Sequence, residues 1–151
     1  MLKKLLLVSM FGSSSLFAFG VGDRLDNQTI SDLKLKNEKV YVIDFFASWC
    51  ASCKIELPLI SKVNTLINKD KYEIIGVDSD KNIEKGKSFV KKLNLNFSVV
   101  YDNKSKLISK FNPIGVPAIY YIKNFEIQKV IYGAVQDIDK KILNDIYKLG
   151  E

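Results

Sequence analysis

Cys50 and Cys53 are the two cysteines of a 151-residue chain that has no histidine. In Trp49-Cys50-Ala51-Ser52-Cys53 they stand where a β-branched, aromatic run gives way to a helical pattern. Free amides and the dipole at a helix N-terminus stabilise a thiolate, so the first cysteine is the better acid. Spacing of i, i+3 on a helical turn lets the second sulfur reach the first and resolve a mixed disulfide within the molecule. The C-terminal end of a strand is also where open α/β sheets place their sites. This pattern predicts a redox-active dithiol, with Cys50 as the exposed attacking thiolate and Cys53 as the buried resolving thiol. A zinc pair would need two further Cys or His ligands, which the sequence lacks. A purely structural disulfide across so short a loop would stabilise by only about 2 kcal/mol and would tie together nothing distant.

Without imidazole, proton handling falls to carboxylates. Cys53 must lose a proton before it attacks, and burial raises a thiol's pKa. Asp44 stands six residues before Cys50 inside Val42-Ile43-Asp44-Phe45-Phe46. An acid in such a run is costly unless it has a role or a partner. Glu56 lies one turn beyond Cys53 on the same helix. Either group can take the proton, and the residues alone do not choose between them.

The elements that must position these groups follow from periodicity. Val40 to Phe46 reads as a buried strand. From Cys50 to Asn68 the apolar residues Ile55, Leu59, Val63, Leu66 and Ile67 recur at helical spacing, with Pro58 expected to kink the helix. Glu73 to Val77 is a second strand, Asn82 to Leu93 a helix, Phe97 to Tyr101 a strand and Ser105 to Phe111 a short helix. Pro117 to Ile122 and Glu126 to Ile131 form a hairpin across Lys123-Asn124-Phe125. Asp137 to Leu149 closes the chain as a helix with Ile138, Ile142, Leu143 and Ile146 inward and Asp137 as N-cap. Alternating strands and helices imply an α/β fold, and the terminal hairpin makes its sheet mixed.

Composition narrows the possibilities. With 47% hydrophobic and 26% charged residues the chain reads as globular. The formal charge of +6 suggests nucleic acid, but Arg24 is the sole arginine and no basic run is interleaved with aromatics. Lys3 and Lys4 followed by an apolar stretch to Phe19, then Ala18, Gly20 and Gly22, have the layout of an export signal. Residues 1–20 are therefore expected to be a signal peptide, cleaved after Ala18 or Gly20, and 21–151 the working domain. An uncleaved membrane anchor is the alternative, since about 17 apolar residues is the lower limit for a span. Loss of Lys3 and Lys4 takes the charge from +6 to +4.

Several features together resemble the thioredoxin superfamily over nearly everything after the signal. Asp44 to Lys54 is similar to that family's active-site strand and helix start, and Pro58 falls where the family kinks its helix. Gly115-Val116-Pro117 resembles the loop that carries a cis-proline facing the cysteines, and Gly133-Ala134 the glycine turn before the last helix. The resemblance implies a three-layer sandwich, a mixed central sheet flanked by helices. The export signal, Glu56 in Cys-x-x-Cys-Lys-x-Glu-x-Pro, and a helix-strand insertion over about Asp78 to Phe97 and Ser98 to Asp102 resemble exported TlpA/ResA/CcmG-type oxidoreductases. That subfamily implies a periplasmic protein disulfide reductase with no cofactor beyond the Cys50–Cys53 couple and no metal. Its implied clients include the haem-binding cysteines of apocytochrome c, and its implied electron donor is a membrane thiol-reducing partner. By the same resemblance Pro117 is cis and exposes the Val116 backbone to pair with an extended substrate chain. Trp49 and Ile114 would form the apolar rim where a partner docks. A monomer is expected.

The chain departs from the pattern at Ala51-Ser52, which lacks the proline common before the second cysteine, and at Ala118 after the cis-proline. Three other readings stand beside the reductase. An exported thiol oxidase or disulfide isomerase would use the same fold, although isomerases usually need a dimerisation domain. A Sco-type copper chaperone would carry Cys-x-x-x-Cys and a histidine ligand. A non-catalytic peptide-binding module would keep its full activity in a Cys50→Ser variant.

Overall fold

The computed structural model describes residues 18–151. Of the expected export segment, only Ala18, Phe19 and Gly20 fall within the described residues. The elements run α1 (Asn27–Asp32), β1 (Val40–Phe46), α2 (Ala51–Leu66), β2 (Tyr72–Asp78), α3 (Ile83–Lys92), β3 (Ser98–Tyr101), α4 (Lys106–Phe111), β4 (Ala118–Lys123), β5 (Glu126–Tyr132) and α5 (Ile138–Gly150).

The strands form one sheet in the order β3-β2-β1-β4-β5. β1 and β2 run parallel, as do β2 and β3, while β4 is antiparallel to both β1 and β5. All seven residues of β1 are buried, as its uninterrupted apolar run requires of a central strand covered on both faces. Side chains alternate between those faces. Val42, Phe46, Ile119 and Tyr121 pack with α2, α3 and α5. Tyr41, Phe45, Tyr120 and Ile122 pack with residues of α1 and α4. Helices on either side of a mixed sheet give the three-layer thioredoxin-like sandwich.

The buried stripe of α2 differs from the one the sequence suggests. Cys53, Glu56, Leu57, Ile60 and Val63 face inward, whereas Ile55 and Leu66 point to solvent. The helix begins at Ala51 with both cysteines in its first turn, and that phase carries Glu56 in and Ile55 out. Pro58 lies inside the helix, where it leaves the Lys54 carbonyl without its helical donor.

Two further differences concern helix starts. Asp137 does occupy the N-cap of α5, but with φ 54° its side chain makes no cap bond; it sits 3.5 Å from Lys140 instead. The six-residue helix α1 carries no long periodic signal, yet Asp26 caps it by accepting the Thr29 amide at 2.7 Å.

The N-terminal segment straps the open side of the hairpin. Gly22 and Leu25 donate their amides to the carbonyls of Ile127 and Phe125, both at 2.8 Å, and Ile127 donates back to Asp23 at 3.0 Å. Phe19 stacks edge-on against Phe111, ring centroids 5.2 Å apart. Among the described residues, no helix is long and apolar enough to cross a membrane.

Candidate active site

β1 ends at Phe46, and the turn Ala47-Ser48-Trp49 delivers Cys50 to the N-cap of α2. Cys50 and Cys53 are joined as a disulfide, with Cα atoms 5.3 Å apart. The Cys53 amide donates to Cys50 Sγ at 3.2 Å, so the first-turn amide is already aimed where a thiolate would form. Ser52 Oγ lies 3.6 Å from the same sulfur. Cys50 is less open than expected of an exposed nucleophile. It is 6% accessible, against 1% for Cys53, because the 114–117 loop closes over it.

The Val116–Pro117 bond is cis, and the Val116 carbonyl oxygen stands 3.6 Å from Cys50 Sγ. The Pro117 carbonyl accepts the Gly133 amide at 2.9 Å. Gly133 has φ 77°, a conformation glycine adopts at little cost, so this turn after β5 braces the proline loop. Around the disulfide the surface is apolar. Trp49 is 73%, Ile114 87% and Ile55 72% exposed. The first two were anticipated from sequence, whereas Ile55 joins them because of the phase of α2.

Beneath the sulfurs two carboxyl groups are buried. Burial, and secondarily the charge of Glu56, holds the Asp44 carboxyl well above the usual carboxylate range. Asp44 Oδ1 has no hydrogen-bond partner. Burial pushes Glu56 up as well, partly offset by the Val135 amide, which donates to Glu56 Oε1 at 2.6 Å. One acid is tethered and the other is not.

The sequence reading missed a second acidic pair beside the same turn. Asp78 closes β2 and Asp80 follows it; both are buried. Asp80 accepts the Ser48 amide at 2.7 Å and the Ser48 hydroxyl at 2.8 Å. The Ser79 amide and hydroxyl both donate to the Phe46 carbonyl, at 2.9 and 2.8 Å. Asp78 Oδ1 accepts the Asp80 amide at 3.3 Å. Burial and the neighbouring Asp80 push Asp78 up to about 7. A Cβ on Gly86 of α3 would fall 1.7 Å from Asp78 Oδ2, so only glycine leaves room for this carboxyl. The cost of an acid at the end of a buried strand, the logic applied to Asp44, would have found Asp78 too.

A dithiol at the start of a helix, a cis-proline across from it and buried acids below define a thioredoxin-like thiol–disulfide oxidoreductase. The chain belongs to the AhpC/TSA family, whose pattern matches residues 18–130. It is 27% identical over 128 residues to the thiol-disulfide oxidoreductase ResA of Oceanobacillus iheyensis, covering 83% of this chain and 66% of that protein. It is 23% identical to the ResA of Geobacillus kaustophilus, covering 83% of this chain and 78% of the relative. Among solved structures, a putative thiol:disulfide interchange protein DsbE from Chlorobium tepidum superposes with a TM-score of 0.73. There the identity is 21%, with 88% of this chain and 99% of that one covered. StoA from Bacillus subtilis superposes with a TM-score of 0.64 at 24% identity, covering 72% and 84% of the two chains. At those identities the structures speak for the fold.

Proposed function

We propose that the protein is an exported, periplasmic oxidoreductase that runs in the reducing direction on protein disulfides. The observation that carries this is the meagre support for a Cys50 thiolate. Among the described residues one N–H, that of Cys53, and one hydroxyl, that of Ser52, reach the sulfur, and the chain has no histidine. Strong oxidants of this chemistry owe their potential to a stabilised reduced form. A dithiol with a weakly stabilised thiolate gives up its electrons more readily.

The reaction divides into two displacements. The Cys50 thiolate attacks one sulfur of a client disulfide, forming a Cys50–client disulfide and releasing the other client sulfur as a thiolate that takes a proton from water. Cys53 then passes its proton to a carboxylate below, and its thiolate attacks Cys50. The Cys50–client bond breaks, the second client thiolate leaves, and the Cys50–Cys53 disulfide closes. The client gains two electrons and the dithiol loses two. Asp44 is the proton acceptor in this scheme. Burial, and secondarily the charge of Glu56, raises the Asp44 pKa and makes it the stronger base, and its Oδ1 is unengaged, whereas Glu56 is held by Val135.

The cis-proline loop leaves the Val116 backbone beside Cys50, placed to pair with an extended client segment. Trp49, Ile114 and Ile55 offer it an apolar border. Clients of the kind expected are proteins with an exposed cysteine pair, such as the haem-site cysteines of apocytochrome c. A membrane thiol-reducing partner returns the electrons by the reverse exchange, and no cofactor is required beyond the disulfide itself. Trapping with a Cys53→Ala variant tests the reading, because it stalls the first displacement. Covalent capture of exported proteins bearing paired cysteines is expected. A measured potential near those of strong periplasmic oxidants, about −120 mV, would sink the reducing direction. Stoichiometric tight Cu(I) binding under anaerobic conditions would favour the copper chaperone instead.

A further inference from the structure

The Asp80 contacts do more than join two loops. Both of its carboxylate oxygens accept hydrogen bonds from one residue, the Ser48 amide to Oδ2 and the Ser48 hydroxyl to Oδ1. Two donors on its two oxygens suit a carboxylate, which has four acceptor sites. Ser48 is two residues from Cys50, in the turn that hands the chain from β1 to α2. Among the described residues no lysine forms an ion pair with Asp80 or with Asp78. The Asp80 amide donates to Asp78, a second buried acid, at 3.3 Å. Asp80 is buried, so its charge is poorly screened by solvent.

We propose that Asp80 is a positioning residue for Cys50: through Ser48, two residues before the sulfur, it fixes the turn presenting it and adds a negative charge to that turn, keeping the dithiol reducing. A negative charge near a thiol favours its neutral form. The Cys50 thiolate is thereby made less stable than the helix N-terminus alone would leave it. In the couple, a disulfide plus two electrons and two protons becomes two thiols, or one thiol and one thiolate when Cys50 ionises. Opposing that ionisation lowers the stability of the reduced side and strengthens the pair as an electron donor. The inference rests on the disulfide-exchange chemistry and deepens the reducing reading. The variants that follow leave Asp44 and Glu56 in place.

The test compares variants with the unaltered protein in two measurements. One is the pH dependence of Cys50 alkylation by iodoacetamide; the other is the equilibrium with mixtures of reduced and oxidised glutathione. In Asp80→Asn the apparent Cys50 pKa should fall by about half a unit, about threefold in thiolate formation. Measured at a pH above the Cys50 pKa, the glutathione ratio at the midpoint should shift by up to about threefold, toward easier reduction of Cys50–Cys53. Ser48→Ala keeps the charge and the amide bond but loses the hydroxyl bond, and should shift both measurements less than Asp80→Asn does. Unchanged values in Asp80→Asn, with only a lower melting temperature, would mean that Asp80 is merely structural and would overturn the proposal. So would a rise in the Cys50 pKa, or a shift in Ser48→Ala as large as that in Asp80→Asn. If Asp80→Asn does not fold, Asp80→Ser removes the same charge and serves in its place. The unaltered protein's own potential judges the reducing direction, whereas the difference between variants judges Asp80, so either can fail alone.

Discussion

Asp44 and Glu56 share a buried space below the disulfide but are held differently, and the difference assigns them different work. Glu56 Oε1 accepts the Val135 amide, a bond that favours its ionised form and ties α2 to the loop after β5. Asp44 has burial without a partner for Oδ1. A carboxyl whose folded-state pKa is raised contributes stability at low pH that is lost as pH rises through that value. Asp44→Asn should therefore melt higher than the unaltered protein at pH 8, by about 1–3 kcal/mol of stability. It should also slow resolution of a Cys50-linked mixed disulfide by about tenfold or more. Stopped-flow fluorescence of the exposed Trp49 and a thermal melt read the two effects. A variant that is stabilised yet resolves at the original rate would move the proton transfer to Glu56. The sequence singles out Asp44 because it interrupts an apolar run and Glu56 because it lies one turn from Cys53 in the Cys-x-x-Cys-Lys-x-Glu-x-Pro pattern. It did not separate them, because the partner of Glu56 lies 79 residues away in the chain.

At the scale of elements, β2 and α3 meet at Asp78 and Gly86. Asp78 ionises at about 7 in the fold, against about 3.9 in an open chain. The stability it contributes when protonated is full below about pH 4 and lost by the time pH passes 7. Asp78→Asn should flatten the pH dependence of the melting temperature across that window and raise stability above pH 7. A melting curve measured at pH 5 and pH 8 for both proteins decides this, and an equal drop in each would remove Asp78 as the cause.

The strands were legible in the sequence because β1, β2 and β4 are dense in β-branched and aromatic residues, and every strand in the reading has its counterpart. The face of α2 was less so. Ile55, Leu59 and Leu66 suggested one stripe, but the requirement that Cys53 lie under Cys50 fixed another and drew a charged residue inside. α1 is too short for periodicity to register. Asp137 was placed at the right position, but a left-handed backbone turns its side chain away from the amides it was expected to cap.

For the whole molecule, oxidation state and stability are linked. Closing so small a loop constrains the unfolded chain by about 2 kcal/mol. Where the fold does little for a Cys50 thiolate, nothing offsets that gain. The oxidised protein should melt about 5 °C or more above the dithiol form, at several degrees per kcal/mol for a domain of this size. Differential scanning calorimetry with and without excess dithiothreitol measures it. A dithiol form melting higher would mark a stabilised thiolate and contradict the reducing assignment.

The strap formed by Gly22 to Leu25 bears on the solubility of the protein. Sheet edges that offer unpaired amides and carbonyls recruit other chains, and the outer edge of β5 would be such a template without the bonds at Phe125 and Ile127. The strap continues from Phe19, which packs on Phe111, so this stretch of chain is anchored at both ends. A protein shortened to begin at Asp26 should keep its dithiol chemistry but self-associate with rising concentration, as light scattering would show. Gly22 to Leu25 thus serve as a guard against aggregation at the outer edge of β5.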